Sequence, residues 1–303
     1  MSTPPTPTPA SSRARPPVPA AAAPATRWRM PLLVRASLAV HAAALIALLV
    51  VPAGWPWVVA ALVLDHAVLS FTGLWPRSTW LGPNVRRLPA AAAARGAVAL
   101  TIDDGPDPDV TPAVLDLLQA RGARATFFCI AEHAARHPAL AREIVARGHS
   151  VQNHSDVHRH DFSVLGPRAM AADVARAQAR LAAAAGEAAT CFRAPAGLRN
   201  PFLDPVLHRQ GLRLVSWTRR GFDTRERDPA RVLARLVRHL AAGDILLLHD
   251  GHAARGASGR PVVLDVLPAL LDAIAAAGLH TETLPQALAA TSPTTSHDAL
   301  APT

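Results

Sequence analysis

Two neighbouring carboxylates and two spaced imidazoles are the groups in this 303-residue chain best suited to chemistry. The run Thr101-Ile102-Asp103-Asp104-Gly105-Pro106 sets both acids directly after an apolar stretch, and Gly-Pro turns the chain at once. One carboxylate at such a tip can bind a metal while the other stays free as a base. Turn formation or capping is the alternative use of the same pair. In Asn153-His154-Ser155-Asp156-Val157-His158 the histidines stand four apart, and neutral imidazole nitrogens at that spacing can converge on one ion. The zincin pattern His-Glu-x-x-His brings its own base, but position 155 is serine, so the base must come from elsewhere. The acids of the first run are able to supply it. Surface histidines are the competing reading in a chain with 14 of them. Two further polar groups follow apolar runs: Arg193-Ala194-Pro195-Ala196-Gly197, and His249 after Ile245-Leu246-Leu247-Leu248. The latter is a general-acid candidate, with a structural histidine at a barrel rim as the alternative.

These groups need a scaffold that brings strand tips together. Strands read at 97–103, 124–130, 150–154, 191–195, 213–217, 244–249 and 279–284. Helices fall between them. Thr111-Pro112 opens one, as an N-cap followed by proline. Gly166-Pro167 opens the long one and Gly186 ends it. Others run near 138–147, 201–210, 229–242 and 262–277. Seven strands alternating with helices imply a parallel sheet, open or closed into a barrel. Such folds carry their sites at the C-terminal strand ends, where the polar groups lie.

The chain before residue 97 is of a different kind. Residues 1–29, rich in Pro, Ala, Ser and Thr, read as a disordered tail, as do 291–303. Residues 30–76 hold two apolar runs, Ala36 to Pro52 and Val58 to Trp75, each near the roughly 20 residues a membrane helix needs. Trp55, Trp57 and Trp75 lie at run ends, and Pro52-Ala53-Gly54-Trp55-Pro56 suits a tight hairpin turn. Two buried helices of a soluble domain are the alternative. Within a hairpin, Asp65 and His41 reach similar depth, and a pairing between them is expected. Residues 77–96 read as a linker, and 97–290 as the catalytic domain.

Composition removes several function classes. The net charge is +9 and every cation is Arg, since the sequence holds no Lys. A Walker phosphate loop and a Schiff-base enzyme both need Lys and are excluded. The basicity reflects Arg-rich usage, and 4% aromatic residues offer little for base stacking, so nucleic acid is not an expected partner. Cys129 and Cys191 form no metal or redox motif and read as buried, inert thiols.

TIDDGP, HSDVH, RAPAG, the Trp217-to-Asp223 segment and the LLLH ending occur in the order found in polysaccharide deacetylases, carbohydrate esterase family 4, and the chain resembles that family over about residues 97–290. The resemblance implies a distorted (β/α)7 barrel, here preceded by a transmembrane hairpin. It implies that Asp104, His154 and His158 hold one divalent metal, typically Zn2+. By the same resemblance Asp103 is the general base, Arg193 pairs with it, His249 protonates the leaving amine and Asp223 orients His249. The Ala196 N–H assists the oxyanion, and Pro195, Ala196, Gly197, Trp217 and Arg220 border the substrate. The implied activity is metal-dependent removal of an N-acetyl or N-formyl group from an amino sugar in a polysaccharide or lipid-linked glycan. A catalytically silent carbohydrate-binding relative and an amidase for a non-sugar substrate are the alternatives.

The chain departs from the family pattern at three places. Ala196 replaces an aromatic, Arg220 replaces an Asp, and Thr224 replaces a Trp. Arg219, Arg220 and Arg225 are expected to crowd the rim and to suit an anionic group such as a sugar phosphate or carboxylate. Arg13, Arg15, Arg27 and Arg29 precede the first apolar run, and Arg77, Arg86, Arg87 and Arg95 follow the second. With two spans this pattern points both ends to the cytoplasmic side of a bacterial inner membrane. With one span the barrel is periplasmic.

Overall fold

The structure, a computed structural model, describes residues 27–289. The expected disordered tails therefore lie outside the described residues, apart from Arg27, Trp28 and Arg29. The elements in order are α1 (Leu32–Val50), α2 (Trp55–Leu74), α3 (Ala90–Ala94), β1 (Ala97–Asp103), α4 (Thr111–Ala120), β2 (Ala125–Cys129), α5 (Ala131–Arg136), α6 (Pro138–Ala146) and β3 (Ser150–Asn153). Then come α7 (Pro167–Ala185), β4 (Cys191–Phe192), α8 (Leu203–Arg209), β5 (Arg213–Leu214), β6 (Arg219–Arg220), α9 (Pro229–Val237), β7 (Ile245–His249), α10 (Val262–Ala276), β8 (His280–Thr281) and α11 (Leu284–Ala289).

All strand pairs are parallel, in the order β5-β4-β3-β2-β1-β7-β6, with β8 against β1. This is a curled half-barrel: β5 and β6 end the sheet without pairing to each other. The gap is bordered by the chain before β1. Val85 bridges to Val215, and the Leu88 N–H donates to the Gly243 carbonyl. β6 was not expected, because two adjacent arginines carry no apolar signal.

Residue alternation in the central strands sets the site. Val98, Leu100 and Ile102 of β1 pack into the outer core against the helices. Ala97 and Ala99 face the inner cluster, and Thr101 and Asp103 continue that inner row. In β7, Leu246 and Leu248 face outward, while Ile245 and Leu247 face inward, with His249 next in line. Both faces are buried, which is why these strands read as unbroken apolar runs. Asp103 and His249 are direct register partners, so adjacent strands at about 4.8 Å spacing deliver both groups to one end.

The long helix α7 begins after Gly166 and ends at Gly186, whose φ of 82° takes the left-handed conformation expected of that stop. Thr111 does not cap α4. Its hydroxyl accepts from the Asp107 N–H (2.8 Å) and donates to the buried Asp250 carboxylate (2.5 Å). Burial pushes Asp250 up to about 7. Both cysteines are free and buried, and burial raises Cys191 to about 11.

The first two helices form an antiparallel pair long and apolar enough to cross a membrane, with mean hydropathies of 2.1 and 1.7. At 1.5 Å per residue, 19 residues reach about 28 Å, near the thickness of a hydrocarbon core. Their outer surface is apolar and exposed, as at Leu45, Ile46, Leu49, Val63 and Leu64. Asp65 approaches His41 at 3.8 Å, but its nearest partner is the Ser37 hydroxyl, which donates at 2.7 Å. The foot of the pair is tied to the barrel: the Arg199 N–H donates to the Gly73 carbonyl and Trp28 donates to Asp204.

Candidate active site

Three side chains from two strand tips converge. Asp104 directly follows β1, and His154 and His158 follow β3. Asp104 Oδ1 lies 3.2 Å from His154 Nε2 and 3.4 Å from His158 Nε2. The three ligand atoms fall within 4.8 Å of one another. His154 Nδ1 sits 2.8 Å from the Arg193 carbonyl oxygen, which can only accept, so Nδ1 carries a proton and the neutral ring turns its Nε2 lone pair inward. Oδ1 is buried and has no hydrogen-bond partner. A buried carboxylate oxygen facing two imidazole nitrogens calls for a cation, and the donor set suits a divalent metal. The electrostatics agree. Burial works to raise Asp104, yet contacts from His154 and His252 hold it ionised well below the usual carboxylate range. Burial opposes charge on His154, but Asp103 and Asp104 outweigh it and raise its pKa, marking a niche that favours positive charge. His158 is pushed down to about 4, by burial first and then by His154, which keeps its ring neutral.

On either side stand two groups suited to moving protons, each locked by a dedicated partner. Arg193 is buried and donates to Asp103 Oδ1 at 2.6 Å, to the Thr101 hydroxyl at 2.8 Å and to the Ser216 carbonyl at 3.0 Å. Its guanidinium also lies over the Phe128 ring at 4.1 Å. Asp103 keeps Oδ2 turned toward the triad, 3.8 Å from His154 Nε2. Opposite, Asp223 Oδ1 is 2.9 Å from His249 Nδ1, and its Oδ2 accepts the His249 N–H at 2.7 Å. Burial opposes the imidazolium, but Asp223 outweighs it and raises His249 to about 8. That imidazole is therefore largely protonated at neutral pH.

Backbone strain concentrates here. Asp104, Ser155, His158, Ala196, Phe222 and His252 all have positive φ without being glycine. Among the described residues His239 is the one such residue away from the site, so the pattern is local. Ser155 helps to hold the bend, because its hydroxyl accepts the His158 N–H at 3.0 Å. Pro195, Ala196 and Gly197 form a tight turn after β4, and Ala196, with φ 53°, is exposed at its crest. Among the described residues nothing accepts from the Ala196 N–H. A Cβ on Gly197 would meet Trp217 and Pro76 at 2.7 Å, so the turn needs glycine to seat against both.

The pocket over these groups holds about 280 Å³ and is bordered by Asp103, Asp104, His154, His158, Ala196, Gly197, Trp217, Arg220, Thr224, Arg225 and His249. Pro195 is buried and does not line it. One expectation fails. Arg219 does not crowd the rim: it is tied to the buried Asp244 at 2.6 Å and to the Arg238 and His239 carbonyls. Arg219 and Arg220 are consecutive in β6, so their side chains take opposite faces and only Arg220 reaches the pocket.

Several contributors have no role assigned by the sequence. His252 Nδ1 lies 3.3 Å from Asp104 Oδ2, and His133 Nδ1 lies 3.1 Å from the Asp104 carbonyl oxygen. Neither carries a local signal. Thr101 did carry one: it stands two residues before Asp103 in a strand and so shares its face.

Comparison with known proteins identifies the family. The family model for polysaccharide deacetylase matches residues 90–215. A chitooligosaccharide deacetylase from Sinorhizobium fredii is 33% identical over 208 residues, covering 67% of this chain and 96% of that protein. A peptidoglycan-N-acetylglucosamine deacetylase from Bacillus cereus is 31% identical over 175 residues, 57% of this chain and 77% of that one. The solved structure of a family 4 carbohydrate esterase from Streptomyces lividans in complex with acetate is 33% identical, with a TM-score of 0.57, and the match covers 63% of this chain and 94% of that one. With the strand-tip motifs in place and a relative matched along nearly its whole length, the chain belongs to the polysaccharide deacetylase family, carbohydrate esterase family 4, and is a hydrolase of carbon–nitrogen bonds.

Proposed function

We propose that this protein removes an N-acetyl or N-formyl group from an amino sugar in a polysaccharide or lipid-linked glycan. The observation that carries the reading is the pair of locked proton carriers flanking the triad, Asp103 held by Arg193 and His249 held by Asp223. A divalent metal, Zn2+ by the donor set, would be held by Asp104, His154 and His158, and when bound it supplies a Lewis acid for the acyl oxygen and lowers the pKa of water to about 7. Asp103 then accepts the proton of the attacking water on Oδ2, while Arg193 keeps Oδ1 occupied and the carboxylate fixed. The Ala196 N–H donates to the acyl oxygen as negative charge gathers there. His249 delivers the proton of its Nε2 to the departing amine, without which the tetrahedral adduct collapses backward. Asp223 holds the Nδ1 proton and steadies the imidazolium. Pro195, Ala196, Gly197, Trp217 and Arg220 border the sugar.

The apolar outer surface of α1 and α2 supports an inner-membrane hairpin, and the arginines flanking it support a barrel on the cytoplasmic side. Reporters joined after Thr303 test the orientation: a periplasmically active reporter overturns it. The activity is tested with the full chain in detergent on N-acetylated chito-oligosaccharide and peptidoglycan fragments, following acetate release with and without a chelator. Release that the chelator abolishes is expected. No release from any acylated amino sugar, by metal-loaded protein, overturns the proposal.

A further inference from the structure

The pocket carries more positive charge than hydrolysis uses. Beneath and beside it, aromatic rings and guanidinium groups alternate. Arg193 lies over Phe128 at 4.1 Å and faces Trp217 at 5.8 Å. Arg220 follows, 5.2 Å from the Trp217 ring and 5.1 Å from the Phe222 ring. Arg193 is fully committed to Asp103, Thr101 and two carbonyls. Arg220 is not. Its Nε is buried without a hydrogen-bond partner. Among the described residues no carboxylate pairs with Arg220 or with Arg225, which borders the same pocket.

The charge balance makes the excess plain. Asp103 is matched by Arg193, Asp223 by His249, and Asp104 belongs to the cation-seeking triad. Arg220 and Arg225 remain, both within a pocket that also opens onto Asp103 and His249. Phe222, at φ 63°, holds its ring against Arg220 while the next residue, Asp223, stays on His249. The ring thus lies against an arginine that has no carboxylate partner among the described residues. Thr224, a small residue between the two, leaves the space beside Arg225 open.

We infer that Arg220 and Arg225 form a subsite for an oxyanion, a phosphate or carboxylate, attached to the acylated amino sugar. The planar guanidinium fork matches both oxyanions, and stacking on two rings pre-sets its orientation. The enzyme therefore selects anionic over neutral acylated sugars. This inference rests on the reading of the site as an amino-sugar N-deacylase.

The test compares kcat/KM on three substrates: neutral N-acetyl chito-oligosaccharide, N-acetylglucosamine 1-phosphate, and a muramic-acid fragment whose lactyl group is a carboxylate. At least one anionic substrate is expected to exceed the neutral one by about tenfold, mostly through KM, with the advantage shrinking as salt rises. Which one does so distinguishes phosphate from carboxylate. Arg220→Gln and, separately, Arg225→Ala should bring the ratio toward one. Binding of inorganic phosphate to chelator-treated full-length protein is measured alongside by calorimetry, and should fall about tenfold or more in the Arg225→Ala protein. Equal kcat/KM on all three substrates overturns the subsite, as does an undiminished preference or undiminished phosphate binding in the variants. If no sugar is hydrolysed, the deacylase reading fails, and the phosphate titration still decides whether the two arginines bind an oxyanion.

Discussion

Replacing Asp223 with Asn removes one negative charge and leaves a side chain of nearly the same shape. Asp223 is fully buried and touches His249 twice, through Nδ1 and through the backbone N–H. It is the chief reason that His249, despite burial, is raised to about 8 rather than standing at its ordinary 6.5. A histidine with a raised pKa keeps its proton below about 8 and loses it above, so the proposed general acid is present at neutral pH and fades in alkali. If the variant returns His249 to 6.5, the protonated fraction at pH 7 drops from about 0.9 to about 0.24, roughly a fourfold loss. At pH 8.5 it drops from about 0.24 to about 0.01, roughly twenty-five-fold. In the variant burial still lowers the imidazole while Asp103 and Asp104 still raise it, so the ordinary value of 6.5 is the reference point for these figures. The measurement is kcat/KM against pH from 6 to 9.5 for both proteins, with a thermal melt to confirm folding. Asp223→Asn should shift the alkaline limb down by about 1.5 pH units. A variant whose normalised alkaline limb superimposes on that of the wild type would refute the role of this pair.

Asp103→Asn should lose about 10²–10⁴ in kcat while retaining its metal content, because a base is removed and no ligand is. Asp104→Ala and His154→Ala should lose both bound metal and activity, as read by elemental analysis of the purified proteins; normal stoichiometry in both contradicts the triad. His252→Ala frees Asp104 Oδ2 and should weaken metal affinity by about 10–100-fold in a chelator competition. Arg193→Met leaves the Asp103 carboxylate buried without its partner, so unfolding should be easier by about 3–5 kcal/mol in denaturant titration. A change below 1 kcal/mol would show that Asp103 finds another counterion.

Much of this was legible in the chain itself, and the limits have a physical origin. The continuous apolar runs of β1, β2 and β7 announce strands buried on both faces, and Asp103-Asp104 and His249 announce their tips, because these signals are local. So do the apolar lengths of α1 and α2 and the Gly186 stop of α7. A base at the Asp103-Asp104 pair and an acid at His249 were legible as candidates, but the pairing of Asp103 with Arg193 came only through resemblance, since the two are far apart in sequence and meet only when β1 and β4 enter one sheet. β6 was invisible because strand identity there comes from pairing with β7, not from the character of two arginines. Which of Arg219 and Arg220 faces the pocket is a matter of register, and a shift by one residue would exchange them. His252 reaches Asp104 across 148 positions, and Val85 meets Val215 across the open edge of the sheet. Contacts of that span leave no periodicity in the sequence. They are decided when the sheet curls and brings distant loops to the same rim.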